Sequence, residues 1–297
     1  MGLLARTGAP AQATAPAAFA PPSRDIGAIL ITLAVAAGAV IMITPLIWMI
    51  LSSLKSQAEI LQATPSFFPH QPGLNAYHTI LTDGDNPVLT WFRNSVIVSV
   101  AVTASVLFTS ALAGYVFAKF RFFGKNFLFL MVLASLMVPF QVLVIPLLLI
   151  VRNVGMFNTL WALIVPSATS AFGIYLMRQF MEGIPNALIE AGRIDGASEF
   201  GIYWRIILPQ VVPAMTALGI FTFKFMWNDY LWPLVAINDS AHQTLALGLA
   251  QYTQGQHGTR FDLTLALSTL SALPIIVLFL IFQRQFVQGI ALSGLKG

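Results

Sequence analysis

Charged side chains concentrate in one stretch of the sequence, residues 184–213, which connects two long apolar runs. Only 9% of the whole chain is charged, so this local density needs an explanation. Acidic and basic groups form ion pairs and charge-assisted hydrogen bonds. We therefore interpret the stretch as a docking element for another protein. Its charged residues are Glu190, Arg193, Asp195, Glu199 and Arg205.

The pattern within this stretch predicts two short helices joined by a turn. Pro185 suits the first position of a helix, where no backbone N–H is required, so one helix is expected over 186–193. Gly196 supplies the backbone freedom of a tight turn, and a second helix is expected over 198–207. The alternative is an amphipathic loop on the membrane surface, with its charges in solvent.

Long apolar runs surround this stretch and must position it. Hydrophobic residues make up 57% of the 297-residue chain, and the mean hydropathy is +0.80. A helix of roughly 20 apolar residues crosses a hydrocarbon layer of about 30 Å, and backbone groups in lipid must form their hydrogen bonds internally. We expect an all-α polytopic membrane protein with six transmembrane helices. These are Ile26–Leu51, Trp91–Phe117, Phe127–Ile150, Leu160–Phe180, Val211–Leu234 and Leu263–Phe286.

The distribution of lysine and arginine predicts the orientation, because basic residues favour cytoplasmic loops. With the N-terminus inside, ten basic residues lie on the cytoplasmic side and four on the outer side, with Lys224 inside a span. Both termini and the segment 184–209 are then cytoplasmic, and the segment 235–262 is an outer loop. Residues 1–25 are rich in Ala and Pro and are expected to form a disordered cytoplasmic tail. The transmembrane domain is expected over 26–297.

Several functional classes are excluded or disfavoured by composition. The chain has no cysteine, which excludes disulfides and thiolate zinc sites. Its four histidines are scattered without ligand spacing, so no metal site is expected. The net charge of +4 is attributed to cytoplasmic loops and not to nucleic-acid binding. A phosphate-binding G-x-x-x-x-G-K-[ST] loop is absent, so we expect a non-enzyme without a cofactor of its own, driven by a partner or an ion gradient.

Two polar groups are candidates for contact with a solute or a partner on the outer side. The first lies near the outer half of the fifth span, where ionisable residues in a membrane are functional candidates; the alternative is helix packing or an interfacial aromatic belt. It comprises Lys224, Trp227, Asn228, Asp229 and Tyr230. The second suits either a solvated loop or a polyhydroxyl ligand. It comprises Gln251, Tyr252, Gln254, Gly255, Gln256 and His257.

The order of residues in the charged stretch resembles the EAA loop of binding-protein-dependent ABC importer permeases. Gly192 is a departure, since the family usually has Ala there. In that family the loop forms coupling helices that lie in a groove of the ATP-binding subunit, and Glu190 is then expected to pair with a basic residue there. The ATPase-coupling residues implied by the resemblance are Glu190, Ala191, Gly192, Arg193, Asp195, Gly196, Ile206, Leu208 and Pro209.

The resemblance extends over nearly all of the chain after the N-terminal tail, and it is to maltose-transporter-type permeases, specifically the six-span partner subunit. It implies the type I ABC importer permease fold, location in the inner membrane and alternating access. The implied partners are membrane lipid, a second permease subunit, an extracytoplasmic binding protein contacted by residues 251–257, and two ATP-binding subunits that use ATP and Mg. The tail 293–297 is implied to touch the ATPase. Matching pieces are Asn75–Tyr77, Asn94–Ser95, Gly114–Tyr115, Gly155–Thr159 and Trp227–Pro233.

Three alternatives to a sugar importer stay open. The same architecture could serve another solute such as glycerol phosphate, although Lys224 is the only basic residue in the predicted pathway. An ion-coupled carrier would usually show paired repeats and carboxylates at the midplane, and Asp229 lies near the outer edge instead. A membrane scaffold without transport activity would not need the coupling motif.

Overall fold

The computed structural model describes residues 26–84, 86–254 and 260–294, with side chains described as far as residue 283. Within these ranges all the regular structure is helical. The first eight helices are α1 (Ile26–Ser52), α2 (Gln57–Ile60), α3 (Asn75–Thr82), α4 (Val88–Lys119), α5 (Lys125–Ser135), α6 (Phe140–Asn153), α7 (Leu160–Ile164) and α8 (Ala171–Glu182). The others are α9 (Asn186–Ile194), α10 (Glu199–Ile202), α11 (Leu208–Gln210), α12 (Val212–Trp227), α13 (Leu231–Ala236), α14 (Leu245–Gln254) and α15 (Phe261–Gly294).

The described residues divide into two units, one before residue 48 and one from residue 48 onward. In the first unit the described residues all belong to α1, and their isoleucine, leucine and valine side chains are exposed. Exposed apolar side chains along a whole helix suit contact with lipid. The predicted tail 1–25 lies outside the described residues.

The second unit is built around the long helix α4, which packs against α8 and α12. Two glycines allow α4 and α8 to approach closely. A Cβ atom added at Gly114 would lie 2.6 Å from the Cβ of Met177, and one added at Gly173 would lie 2.3 Å from the Oγ of Ser110. Helices in membranes associate through such small residues because close backbone approach increases van der Waals contact.

Three helices are long and apolar enough to cross a membrane: α1, α4 and the Phe261–Gln283 part of α15. Two bent pairs could each form one further span. Helices α5 and α6 meet at 100°, and the segment Glu199–Gln210 meets α12 at 76°. Length and composition therefore support three to five spans among the described residues, and the expected count of six stays a prediction.

Three of the predicted spans are interrupted, each beside a residue that begins or ends a helix. The third breaks between α5 and α6, where Pro139 precedes Phe140, and a proline disfavours helical backbone in the residue before it. The fourth breaks between α7 and α8, where the hydroxyl of Ser170 accepts a hydrogen bond from the Gly173 N–H at 3.1 Å and caps α8. The fifth breaks after α12, where the Asn228 side chain donates to the Lys224 carbonyl at 2.8 Å.

Candidate functional site

The first short helix of the charged stretch, α9, ends in a hydrogen-bonded glycine motif. Gly196 has a φ of +79°, in the left-handed region that favours glycine. The Ala197 N–H donates to the Gly192 carbonyl at 2.9 Å, and the Gly196 N–H donates to the Arg193 carbonyl at 3.1 Å. This pair of bonds is the Schellman motif, which satisfies the last carbonyls of a helix. The chain direction after α9 is therefore fixed by backbone geometry, as expected from Gly196.

The second short helix begins at a serine cap. The Ser198 hydroxyl accepts a hydrogen bond from the Gly201 N–H at 3.1 Å, a bond typical of a helix N-cap. Helix α10 then continues through a π-helical turn, Tyr203–Ile207, into α11. The helical path of the second element therefore runs to Gln210, three residues beyond the predicted end at 207.

The two short helices contact each other at Gly192. A Cβ atom added there would lie 2.8 Å from the Cδ1 of Ile206 and 3.2 Å from the Cγ1 of Ile202. Ile202 is fully buried and Ile206 is half-buried. The glycine that departs from the family pattern thus lies at a close contact between α9 and the second element.

An ion pair crosses the turn between these helices. The Arg193 Nε donates to the Glu199 Oε1 at 2.6 Å, and both side chains are about half exposed. The hydrogen bond from Arg193 holds the pKa of the Glu199 carboxyl below its usual value, against a smaller opposing effect of burial. Exposed pairs contribute little to stability, so this one adds little to the turn geometry that the Gly196 motif already sets.

Two side chains of the long helix α4, Tyr115 and Lys119, attach the charged stretch to that helix. The Lys119 Nζ donates to the Ile184 carbonyl at 2.5 Å and to the Asn186 Oδ1 at 3.1 Å. Tyr203 is buried, and its ring centroid lies 5.2 Å from that of Tyr115. The only local signals were a lysine at the end of an apolar run and a tyrosine in the second short helix.

The outward face of the stretch combines charged and apolar side chains. Glu190 and Asp195 are exposed. Large apolar side chains beside them are exposed too, by 87% at Ile194, 68% at Phe200 and 55% at Trp204. The rings of Phe200 and Trp204 are stacked with their centroids 6.3 Å apart. Anchored helices with an aromatic and acidic surface can bind a complementary protein groove, since aromatic residues dominate interface energies.

The structure separates the five candidates of the solute pathway. Trp227 is buried, donates from its indole nitrogen to the Ser271 carbonyl at 2.9 Å and stacks on Phe223. For this residue the packing alternative fits better than stacking on a sugar. Lys224, Asn228 and Tyr230 are exposed, and Asp229 is half-buried.

The candidates for contact with a binding protein begin on a helix and continue beyond the described residues. Gln251 and Gln254 are exposed on α14, whereas Tyr252 is buried. The Gln251 Oε1 accepts a hydrogen bond from the Gln243 side chain at 2.6 Å. Gly255, Gln256 and His257 lie outside the described residues. The predicted loop 235–262 therefore contains a helix that presents part of the candidate group.

Hydrogen bonds fasten the segment before α14 to the start of α4. The Trp91 indole donates to the Ser240 carbonyl at 2.9 Å. The Asn94 side chain donates to the Ala241 and Gln243 carbonyls at 2.9 and 3.0 Å. The segment is thus held to a long helix, which explains the Asn94–Ser95 piece of the sequence pattern in physical terms.

A second attachment of this segment centres on Asn158, which has a φ of 59°. Its amide donates to the Asp239 carboxylate at 2.6 Å, and its carbonyl oxygen accepts from the Asn238 N–H at 2.9 Å. His242 lies 2.8 Å from the same carboxylate. Burial raises the pKa of Asp239, but the hydrogen bonds from Asn158 and His242 outweigh it and lower the pKa below its usual value. Asn158 lies in the piece Gly155–Thr159 that carries part of the family resemblance, but its partners are 80 and 81 positions away along the chain.

Groups of three or more His, Asp or Glu side chains that could hold a metal ion are not found in the described part of the chain. The described residues present two exposed groups instead, the charged and aromatic face of 184–209 and the polar side chains near the end of α12.

The charged stretch lies within a region shared with a defined family. The sequence model of the family described as binding-protein-dependent transport system inner membrane component matches residues 110–292. That range covers α5 to α14 and the charged stretch, and the chain belongs to this family. It is therefore an inner-membrane component of a transport system.

Relatives from several transport systems resemble the chain over most of its length. The arabinooligosaccharides transport system permease protein of Halalkalibacterium halodurans is 36% identical over 270 residues, covering 90% of this chain and 96% of that protein. The lactose transport system permease protein of Rhizobium radiobacter is 33% identical over 253 residues, covering 83% and 89%. The sn-glycerol-3-phosphate transport system permease protein of Yersinia pestis is 28% identical over 258 residues, covering 85% and 92%.

A solved structure shares the fold. A chain from a bacterial ABC transporter that imports the acidic polysaccharide alginate superposes with a TM-score of 0.76, covering 90% of this chain and 98% of that chain at 23% identity. This similarity confirms the predicted type I importer permease fold.

Proposed function

We propose that the chain is the transmembrane permease subunit of an ATP-driven importer for a sugar or oligosaccharide delivered by an extracytoplasmic binding protein. The observation that carries the proposal is the exposed acidic and aromatic face of 184–209, mounted on a fixed pair of short helices. A chain that has no nucleotide-binding loop must obtain its energy from a partner or an ion gradient, and this exposed face favours a partner. The complete transporter would contain a second permease subunit and two ATP-binding subunits, which would use ATP and Mg.

The contacts within the charged stretch define a path for the motion. Closure of the ATP-binding subunits would push on α9 through Glu190, Ala191 and Asp195. Helix α9 would pass the displacement to Ile206 through the contact at Gly192. Close-packed atoms have low compressibility, so a shift of one side of the contact moves the other side. Leu208 and Pro209 lie directly between that contact and α12. The bend of 76° before α12 would turn movement along the membrane surface into a tilt of α12.

The proposed cargo follows from the relatives and from the exposed polar side chains at the end of α12. Two of the relatives carry names of sugar systems, arabinooligosaccharides and lactose. Asn228 and Tyr230 offer hydrogen bonds without net charge and are exposed, which suits a polyhydroxyl solute. The outer group on α14, Gln251 and Gln254, would contact the binding protein.

A second candidate cargo is glycerol phosphate. One relative is named for its transport, and Lys224 is an exposed basic residue of α12 that could pair with a phosphate. An uptake assay with the Lys224→Ala variant distinguishes between the two proposed cargoes. Uptake of a phosphate ester would fall, because the charge-assisted bond is lost, whereas uptake of a neutral oligosaccharide would be retained.

The test of the coupling role is ATP hydrolysis by the assembled transporter in lipid nanodiscs. Addition of sugar-loaded binding protein should stimulate hydrolysis in the parent. Truncating one member of a buried charge pair costs ~2–5 kcal/mol, so Glu190→Ala should lower the stimulated rate more than ~10-fold. The concentration of ATP-binding subunit needed for half-maximal activity should rise in parallel.

A matched control is Glu182→Gln, which removes an exposed carboxylate from the end of α8. Glu182 pairs with Arg178 one turn away at 2.8 Å, and pairs of this kind contribute only ~0.2–0.5 kcal/mol. Its stimulated rate should stay within about two-fold of the parent. Solute uptake that proceeds normally without any ATP-binding subunit would contradict the proposed function.

A further inference from the structure

A basic and aromatic surface lies between α4 and α5, apart from the charged stretch and the solute pathway. Its basic residues are Arg121 and Lys125, and the region is predicted to be cytoplasmic. Phe122, Phe123 and Phe127 are exposed around them. All of these residues except Phe123, together with Asn126, line a concavity of about 310 Å³, at the lower end of the volumes found for ligand sites. We name this group the α4–α5 basic pocket; its lining residues are Arg121, Phe122, Gly124, Lys125, Asn126 and Phe127.

All the lysine, arginine, aspartate and glutamate residues that neighbour the pocket in the sequence are basic. The sequence contains no Asp or Glu from residue 86 to residue 181. Arg121 is exposed, and Lys125 is half-buried with its Nζ donating to the Phe120 carbonyl at 3.0 Å. This bond occupies one of the three donors of an ammonium group. The pocket thus offers cationic donors and the Asn126 amide, a combination that suits a phosphate ester.

The surroundings of the pocket indicate that the phosphate belongs to a lipid. Phe122 rests on Phe117 with ring centroids 6.1 Å apart, so its ring is held in place, whereas Phe123 is fully exposed. The apolar exposure continues from the pocket along α5 through Leu128, Leu130 and Met131. Aromatic residues beside basic ones are typical of the membrane interface, and an apolar surface leading away from it can contact acyl chains.

From this geometry we infer that the α4–α5 basic pocket binds the headgroup of an anionic phospholipid in the cytoplasmic leaflet. Arg121, Lys125 and Asn126 contact the phosphate, while Phe123 and Phe127 enter the acyl boundary. The site lies next to Lys119, which holds the start of the charged stretch through Ile184 and Asn186. A bound anionic lipid would therefore steady the end of α4 that carries this anchor.

The test is native mass spectrometry of the full-length chain in detergent, titrated with phosphatidylglycerol or phosphatidylcholine. The parent should prefer phosphatidylglycerol. Each basic residue near an anionic surface accounts for about a five-fold change in affinity, so Arg121→Gln should weaken phosphatidylglycerol binding ~5-fold. The double variant R121Q/K125Q should weaken it ~25-fold, with phosphatidylcholine binding unchanged.

Two further variants keep the result interpretable. Arg93→Gln removes an exposed charge from the predicted outer side and should bind phosphatidylglycerol as the parent does. Arg121→Lys keeps the charge and should retain the preference. An unchanged preference in R121Q/K125Q, or an equal loss in R93Q, overturns the inference. If R121Q/K125Q instead keeps its lipid affinity but loses co-purification with the ATP-binding subunit, the pocket binds protein and the lipid site is wrong.

Discussion

Gly192 sets how closely the two short helices of the charged stretch approach each other. An alanine Cβ there would meet the Cδ1 of Ile206, which is the end of a flexible side chain, at 2.8 Å. A small shift of that atom relieves the contact, and alanine favours a helix over glycine by ~1 kcal/mol. We expect Gly192→Ala to change the free energy of unfolding by less than ~1 kcal/mol and to keep the stimulated ATPase rate.

A larger side chain at the same position should behave differently. Gly192→Leu cannot be accommodated by Ile206 alone, since the buried Ile202 lies at 3.2 Å, and overpacking of this kind costs ~1–3 kcal/mol. Ala187→Leu places the same side chain at an exposed position of α9 and should be neutral. The stability of both variants is measured by thermal unfolding, and their activity by binding-protein-stimulated ATP hydrolysis in nanodiscs. A fully active Gly192→Leu would show that the close contact does not transmit motion.

Residues with local signatures could be predicted from the sequence, and residues defined by distant contacts could not. Gly196 and the two short helices follow from turn and helix chemistry within a dozen positions. Lys119 contacts residues 65 and 67 positions away, and Asn158 contacts one 81 positions away. One sequence contains no record of which distant segments meet, so these anchors were found only in the structure.

At the scale of elements, the seam between α4 and α8 depends on Gly114. A Cβ added there would lie 2.6 Å from the Met177 Cβ and 3.0 Å from backbone atoms of the same helix. The Met177 Cβ and these backbone atoms belong to α8 and cannot move without separating α8 from α4. Gly114→Ala should therefore destabilise the chain by ~1–3 kcal/mol. The measurement is equilibrium unfolding of the full chain in mixed micelles.

Gly219→Ala is the matched control for this seam. The added Cβ would lie 3.4 Å from the Leu107 Cδ1, an ordinary contact distance, and alanine is the better helix former. Its free energy of unfolding should equal or exceed that of the parent. Equal stability of the Gly114 and Gly219 variants would refute the idea that backbone approach at Gly114 holds α4 to α8.

Apolar length predicted the long helices well and the broken ones poorly. Helix α4 extends the predicted span by three residues at its start and two at its end, because nothing in that run stops a helix. The predicted fourth span is mainly apolar on both sides of its break, although Arg178 and Gln179 lie in its second half. Hydropathy averages across such a break, so Pro166 and the Ser170 cap were the only local signs of it.

At the scale of the whole molecule, the number of crossings decides which side of the membrane holds the charged stretch. By length and composition, up to three crossings lie before it: α1, α4 and the bent pair α5–α6. The short helices α7 and α8 must act together as a fourth crossing for the N-terminus and the stretch to share one side. With the N-terminus in the cytoplasm as predicted, the proposed coupling role requires this even number, because ATP-binding subunits work in the cytoplasm.

Cysteine labelling tests the crossing count directly, because the chain has no cysteine of its own. A single cysteine in place of Ser23, Asp195 or Gln254 is treated with a membrane-impermeant maleimide in spheroplasts and in inside-out vesicles. We expect Ser23→Cys and Asp195→Cys to react only in inside-out vesicles. We expect Gln254→Cys to react only in spheroplasts. The control is permeabilised membranes, in which all three cysteines should react. Labelling of positions 23 and 195 from opposite sides would mean that α7 and α8 do not cross. The charged face and the N-terminus would then lie on different sides, and coupling to a cytoplasmic ATPase would hold only if position 195 were the inner one.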